Sequence, residues 1–152
     1  MIHHISIPAR EPMLVAEAFA ELLGGACVKF PPHPGSFIAI AEDGCGTGVE
    51  VYPAGTELVP NGETGARFVR GMAAPGFGSV HFALSVAVKA DIVEALARRM
   101  GWDCFHCRRG DAFGVIELWV ENALMVEVLP AEYAAQYRAF ARQAVEVFGA
   151  MG

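Results

Sequence analysis

Residues 48–54 read GVEVYPA, and residues 125–131 read MVEVLPA. In each phrase a glutamate, Glu50 or Glu127, stands between two valines in a run with strand-like alternation. Successive strand side chains point to opposite faces, so the valines look one way and the glutamate the other. A carboxylate set among apolar neighbours is costly unless it is paired or meets a cation. The chain makes this placement twice, 77 residues apart.

The same offset joins more than the two glutamates. His4 meets His81, Glu17 meets Glu94, Ala18 meets Ala95 and Ala20 meets Ala97. Gly24 meets Gly101, Cys27 meets Cys104, and Pro53-Ala54 meets Pro130-Ala131. Between 31–47 and 108–124 no identity survives, but a shift of one residue sets Ile38 on Ile116 and Ile40 on Leu118. Identities that fall in segments of matching pattern point to an internal duplication.

Each half reads as βαβββ. The first has a strand at His4–Ile7, a helix over 12–23 opened by Pro12 and stopped by Gly24-Gly25, and strands near 26–30, 37–42 and 48–53. The second has a strand over 81–86, a helix over 88–100 stopped at Gly101, and strands near 102–108, 114–120 and 125–129. Gly44–Gly48 lies between two strands, with no helix after it, and reads as a hairpin turn rather than a phosphate loop. The division expected is a first module over 1–54, a linker over 55–78, a second module over 79–130 and a C-terminal helix over 131–152. The linker is rich in glycine and proline and has no steady period. Tyr133, Tyr137, Phe140, Ala144 and Phe148 recur at helical spacing in the tail, as a core or dimer stripe does.

Alternation then assigns faces. Ile5 and Ile7, Val49 and Val51, Ile116, Leu118 and Val120, and Val126 and Val128 are expected against the helices. His4, Glu50 and Tyr52, and His81, Glu117, Trp119 and Glu127, are expected on the helix-free faces. A lone strand histidine or glutamate is usually a solvated side chain. One histidine and one glutamate per half, at one offset and on matched faces, make a different case. If the two sheets curve around a shared cleft, two imidazoles and two carboxylates converge. That donor set suits a divalent Zn, Ni, Mn, Co or Fe ion with positions left for water.

Composition bounds the alternatives. The chain has 152 residues, 54% of them apolar, with mean hydropathy +0.38 and a net charge of −6. This size and composition permit a folded core and suggest a buried homodimer face. The negative charge argues against nucleic acid and anionic membranes. No apolar run is long enough to span a bilayer, and MIHHISIPAR enters a strand at once, so the expected location is cytoplasmic. Cys27, Cys45, Cys104 and Cys107 are then expected as free thiols, and Cys104-Phe-His-Cys107 has no second pair to complete a zinc site.

The stretches HHISIPA, GVEVYPA, VHFALSV and MVEVLPA resemble the vicinal oxygen chelate superfamily, over about residues 1–130. That superfamily includes glyoxalase I, extradiol dioxygenases, fosfomycin-resistance proteins, methylmalonyl-CoA epimerase and bleomycin-binding proteins. The resemblance implies an α+β fold of two tandem βαβββ modules forming a cupped mixed sheet around a cleft, here with an added C-terminal helix. It implies that His4, Glu50, His81 and Glu127 hold the divalent metal, and that Glu50 or Glu127 is the catalytic base. A two-histidine, two-glutamate set is most similar to glyoxalase I, a lyase or isomerase that forms a metal-stabilised enediolate from a small carbonyl substrate. Extradiol-type ring cleavage, with His106 or Tyr52 as acid or base, and metal-free drug binding are the alternatives. Tyr52, Trp119, Glu117 and Arg108, with neighbouring Arg109, are the candidates for substrate contact. Val120-Glu121-Asn122-Ala123 departs from the D-P-x-G-type turn of many members, and no glutathione-binding set is evident.

Overall fold

The computed structural model describes residues 2–62, 65–71 and 77–149, with side chains described as far as 144. The chain divides into two compact units, residues 1–77 and 78–152. In the first, β1 (His4–Ala9), α1 (Pro12–Leu23), β2 (Gly25–Lys29), β3 (Phe37–Ala41) and β4 (Gly48–Pro53) follow in order. In the second, β7 (Phe82–Ser85), α2 (Ala90–Met100), β8 (Asp103–Arg109), β9 (Phe113–Val120) and β10 (Leu124–Leu129) repeat that order, and α3 (Ala131–Gly149) follows. The two four-stranded sheets have the same strand order, β1-β4-β3-β2 and β7-β10-β9-β8. In each, the first strand lies parallel to the fourth and the other pairs are antiparallel.

The repeat extends to the backbone. Ser6 pairs with Glu50 and Ala83 with Glu127, so the offset of the identities is also the offset of the register. Both helices end at the glycine that the repeat matched, Gly24 with φ 62° and Gly101 with φ 68°. This left-handed stop carries little penalty for glycine and lets its N–H bond back to the last turn.

The helix-facing sides are as the alternation requires. Val15, Phe19 and Leu22 of α1 are buried with Ile7, Ala9, Val49 and Val51. Val93 and Leu96 of α2 are buried with Leu84, Ile116, Leu118, Val120, Val126 and Val128.

Two expectations need correction. The shift that set Ile38 on Ile116 is one residue short: Ile38 pairs with Glu50 as Glu117 pairs with Glu127. Ile38 therefore shares the helix-free face, and Ala39 and Ala41 turn to α1, where both are buried. α1 is itself rich in buried alanine, at Ala16, Ala18 and Ala20, and small residues on both surfaces allow close approach. The larger Ile40 is left 39% exposed on the other face. The second correction concerns the stretch read as an aperiodic linker. It contains a hairpin, β5 (Thr56–Val59) against β6 (Arg67–Arg70), in register from Thr56–Arg70 to Val59–Arg67.

α3 lies on the helix-free side of the second sheet. Phe113, Val115 and Leu129 form a buried cluster with Ala134, and Tyr133 packs against it. Tyr137 and Phe140 set their rings 5.1 and 5.3 Å from Phe113, so the aromatic stripe is in part intrachain core. Phe148 of that stripe lies outside the described side chains. No helix among the described residues is long and apolar enough to cross a membrane.

The corrected register is testable by denaturation. Ala39→Leu should destabilise the chain by about 1–3 kcal/mol through overpacking under α1. Ile40→Ser, on the open face, should stay within about 0.5 kcal/mol of the parent. The order would reverse if the one-residue shift were correct.

Candidate active site

Glu50 is the centre of the first unit's helix-free face. Its neighbours there come from β1 by the register that pairs Ser6 with Glu50 and Pro8 with Tyr52. Ser6 Oγ donates to Glu50 Oε2 at 2.6 Å, and the Tyr52 hydroxyl donates to the same oxygen at 3.1 Å. His4 Nε2 lies 3.7 Å from the other oxygen, Oε1. The Glu50 side chain is 12% exposed, so these contacts supply most of what water would otherwise supply.

Tyr52 is held by an aromatic group that the sequence reading did not assemble. Phe30, His33 and Phe68 place their rings 5.9, 5.9 and 5.3 Å from that of Tyr52. His33 and Phe68 are themselves 4.8 Å apart. Phe68 comes from β6, within the stretch expected to be linker. His33 comes from the β2–β3 turn, where Pro31 and Pro32 interrupt the strand and Ser36 Oγ lies 3.3 Å from His33 Nδ1. Burial raises the Tyr52 phenol to about 12, with the Glu50 hydrogen bond and charge adding to the effect.

The second unit satisfies its glutamate by another route. Glu127 is buried, and its β7 neighbour is Ala83, which has no hydroxyl to offer. Leu129 stands where the first unit has Tyr52. Arg109, at the end of β8, fills the gap. Its Nε donates to Glu127 Oε1 at 2.8 Å, and Nη2 pairs with the same oxygen. Nη2 also donates to Glu117 Oε1 at 2.9 Å. One guanidinium thus joins two carboxylates paired across β9 and β10. Both carboxylates hold the Arg109 pKa above its ordinary value, Glu127 most of all. Cys107, on the same face, is raised by burial and by its charge and hydrogen-bond contact with Glu117.

The other expected residues are placed as follows. His81 is exposed just before β7, with Nδ1 3.2 Å from the Ser79 carbonyl oxygen. Trp119 is half-buried on the Glu117 face, across from Met125. Arg108 is on the opposite face from Arg109, where Nη2 donates to the Asp111 carbonyl at 3.0 Å. His106 is also on the α2 side, with Nε2 2.9 Å from Glu94 Oε1. Cys104 and Cys107 point to opposite faces of β8, and both are free thiols.

The donor types fit a borderline divalent ion, and His4 with Glu50 form a nitrogen–oxygen pair on one face. Glu127 fits on type but already carries Arg109. Among the described residues no group of three or more His, Cys, Asp or Glu is drawn together around one point.

Comparison with known structures defines the class of fold. A lactoylglutathione lyase from Agrobacterium tumefaciens superposes with TM-score 0.55 at 13% identity, covering 87% of this chain and 94% of that one. A glyoxylase/bleomycin resistance protein/dioxygenase domain from Frankia sp. EAN1pec gives 0.54 at 11%, covering 84% and 94%. The genomically encoded fosfomycin resistance protein from Listeria monocytogenes gives 0.54 at 8%, covering 91% and 97%. No protein-family model matches the chain, and no curated protein matches it. The chain shares the glyoxalase-type fold of these structures, an α+β fold of two βαβββ modules with a C-terminal helix.

The Tyr52 environment gives a direct spectroscopic expectation. In an ultraviolet pH titration one phenol should ionise near 12, and Tyr52→Phe should remove that step. The folded value lies above the ordinary 10, so this group's contribution to stability is intact below about pH 10 and is lost as pH rises through about 12. Complete tyrosine ionisation by pH 11 in the folded protein would contradict this environment.

Proposed function

We propose that the chain is a metal-dependent lyase or isomerase of the glyoxalase type, acting on a small carbonyl substrate, with Glu50 as its base. The observation that carries this is the asymmetry of Glu50: Oε2 receives two hydroxyl hydrogen bonds, and Oε1 faces His4. Ser6 and Tyr52 fix the carboxylate in one orientation, as proton transfer requires. Tyr52 keeps its proton well past neutral pH and so remains a donor to Glu50. Phe30, His33 and Phe68 pack around its ring and limit water there. Glu50 Oε1 then takes the proton from the carbon beside the substrate carbonyl and returns it to the adjacent carbon. The metal, for which His4, Glu50, His81 and Glu127 are the proposed holders, would act as a Lewis acid on the carbonyl oxygens. Arg109 already bonds Glu127 Oε1, and this reading therefore assigns the proton transfer to Glu50. Trp119 and Glu117 remain the proposed substrate contacts in the second unit. The proposal extends to a homodimer in the cytoplasm.

A second reading, metal-free binding of a small molecule on the same fold, is favoured by one observation: Glu127 already has its cation in Arg109. Elemental analysis of protein purified without an affinity tag separates the two. Stoichiometric zinc, nickel, manganese, cobalt or iron supports the enzyme, whereas none bound and none taken up supports the binder. Oxygen uptake with catechols and Fe(II) would point instead to ring cleavage.

Glu50→Gln should lower turnover of thiol adducts of 2-oxoaldehydes by about a hundredfold or more while Glu50 contacts and fold persist. The measurement is substrate-derived proton exchange in heavy water, run beside circular dichroism. Undiminished exchange in a folded Glu50→Gln protein would remove Glu50 from the role of base.

A further inference from the structure

We infer that Phe68 of the β5–β6 hairpin is a positioning residue for Glu50, acting through Tyr52, so that a segment beyond the first βαβββ module completes that module's site. The inference rests on the reading of Glu50 as the base. A phenyl ring has no donor to offer a carboxylate. What Phe68 meets is the Tyr52 ring, 5.3 Å away at an interplanar angle of 42°. Tyr52 stands on the face that α1 does not cover, yet it is 7% exposed. Phe30 and His33 cover it from the β2–β3 connection, with rings nearly perpendicular to it at 75° and 79°. Of the three covering rings, Phe68 alone comes from beyond β4, and it also meets His33 at 4.8 Å. The hairpin that carries it is tied down at its base. The Ala54 N–H donates to the Ala9 carbonyl at 2.7 Å, and the Gly71 N–H to the Gly55 carbonyl at 2.6 Å.

A ring packed in this way has its two side-chain torsions held, and those torsions place the hydroxyl. The hydroxyl makes the second of two hydrogen bonds to Glu50 Oε2. With the Ser6 bond alone the carboxylate could swing about a single pivot. With both it is set in one orientation, and Oε1 stays toward His4. The second unit shows the contrast. Leu129, in the place of Tyr52, is buried with Phe113, Val115 and Ala134 of α3, and it has no hydroxyl to aim. There the cover serves packing, whereas in the first unit it also fixes a donor.

The test is carbon-13 NMR of the Glu50 carboxyl in the full chain at neutral pH, run beside proton exchange on thiol adducts of 2-oxoaldehydes. Loss of a signal in Glu50→Gln assigns it. In Phe68→Ala that signal should move toward its position in Tyr52→Phe, and kcat should fall about tenfold with KM changed less than about twofold. Phe68→Leu, which keeps an apolar side chain over the ring, should restore most of kcat. In a Tyr52→Phe background, adding Phe68→Ala should cost less than about twofold more in kcat. A carboxyl signal and kcat unmoved by Phe68→Ala would overturn the inference, as would an undiminished further loss in the Tyr52→Phe background. No exchange by the parent, or undiminished exchange in Glu50→Gln, overturns the base reading instead. The carboxyl signal then decides the link from Phe68 to Glu50 by itself: movement in Phe68→Ala supports it, and a fixed signal overturns it. Should Phe68→Ala fail to fold, Phe68→Val carries the test on the same criteria.

Discussion

Two carboxylates on otherwise apolar strands constrain much of the architecture. Glu50 and Glu127 occupy the same place in two copies of one sheet, each beside the parallel first strand. Valines on either side commit each strand's other face to its helix, so neither glutamate can turn away without exposing core residues. Each must be compensated where it stands. The first copy does so with neutral donors, Ser6 and Tyr52, near an imidazole. The second does so with a full positive charge shared between two carboxylates. Removing one member of a fully buried ion pair costs about 3–5 kcal/mol, and this partly exposed cluster falls below that because solvent screens Arg109.

The hairpin between the second and third strands of each copy decides whether an arginine reaches the glutamate. In the first copy the strand stops at Lys29, because Pro31 and Pro32 cannot continue the ladder. The chain then folds back through hydrogen bonds joining Phe30, His33 and Ser36, and His33 arrives beside Tyr52. In the second copy the strand runs on to Arg109 and turns at Gly110, where φ is 57°. The longer ladder carries a guanidinium to the level of Glu127. The hairpin difference supplies the arginine, and Ser6 and Tyr52, absent at Ala83 and Leu129, supply the hydroxyls.

Much of this was legible in the sequence because the signals were local. Proline at a helix start, glycine at its end and strict alternation in GVEVYPA and MVEVLPA are short-range facts, and the helices and sheet faces follow from them. The pairing of Ile38 was not legible. An Ile-Ala-Ile run alternates whichever residue faces inward, and only the close approach of an alanine-rich helix selects Ala39 and Ala41. The β5–β6 hairpin hid behind glycine and proline, although Thr56–Val59 and Arg67–Arg70 do form strands. Arg109 was visible as a charge near a hairpin, but its partner was two strands away, and pairing across a sheet needs the register. His33 and Phe68 carried no sequence signal, since they meet only through Tyr52.

The asymmetry bears on how a duplicated sheet can hold a working site. Two identical carboxylates with identical neighbours would compete for the same role, and each would answer equally to substrate or ion. Here the neighbours differ. Glu50 is oriented through one oxygen by hydroxyls, which stabilise the carboxylate without cancelling its charge. Glu127 is neutralised by a cation that also bonds Glu117, so three charged groups share one small volume with a net charge of about −1. A carboxylate that keeps its charge is suited to taking a proton. One that a guanidinium already pairs with is held in place by it. Three local differences produce that division, Ser6 against Ala83, Tyr52 against Leu129, and a strand that stops at Lys29 against one that runs on to Arg109, because the sheet has already fixed where both carboxylates must be.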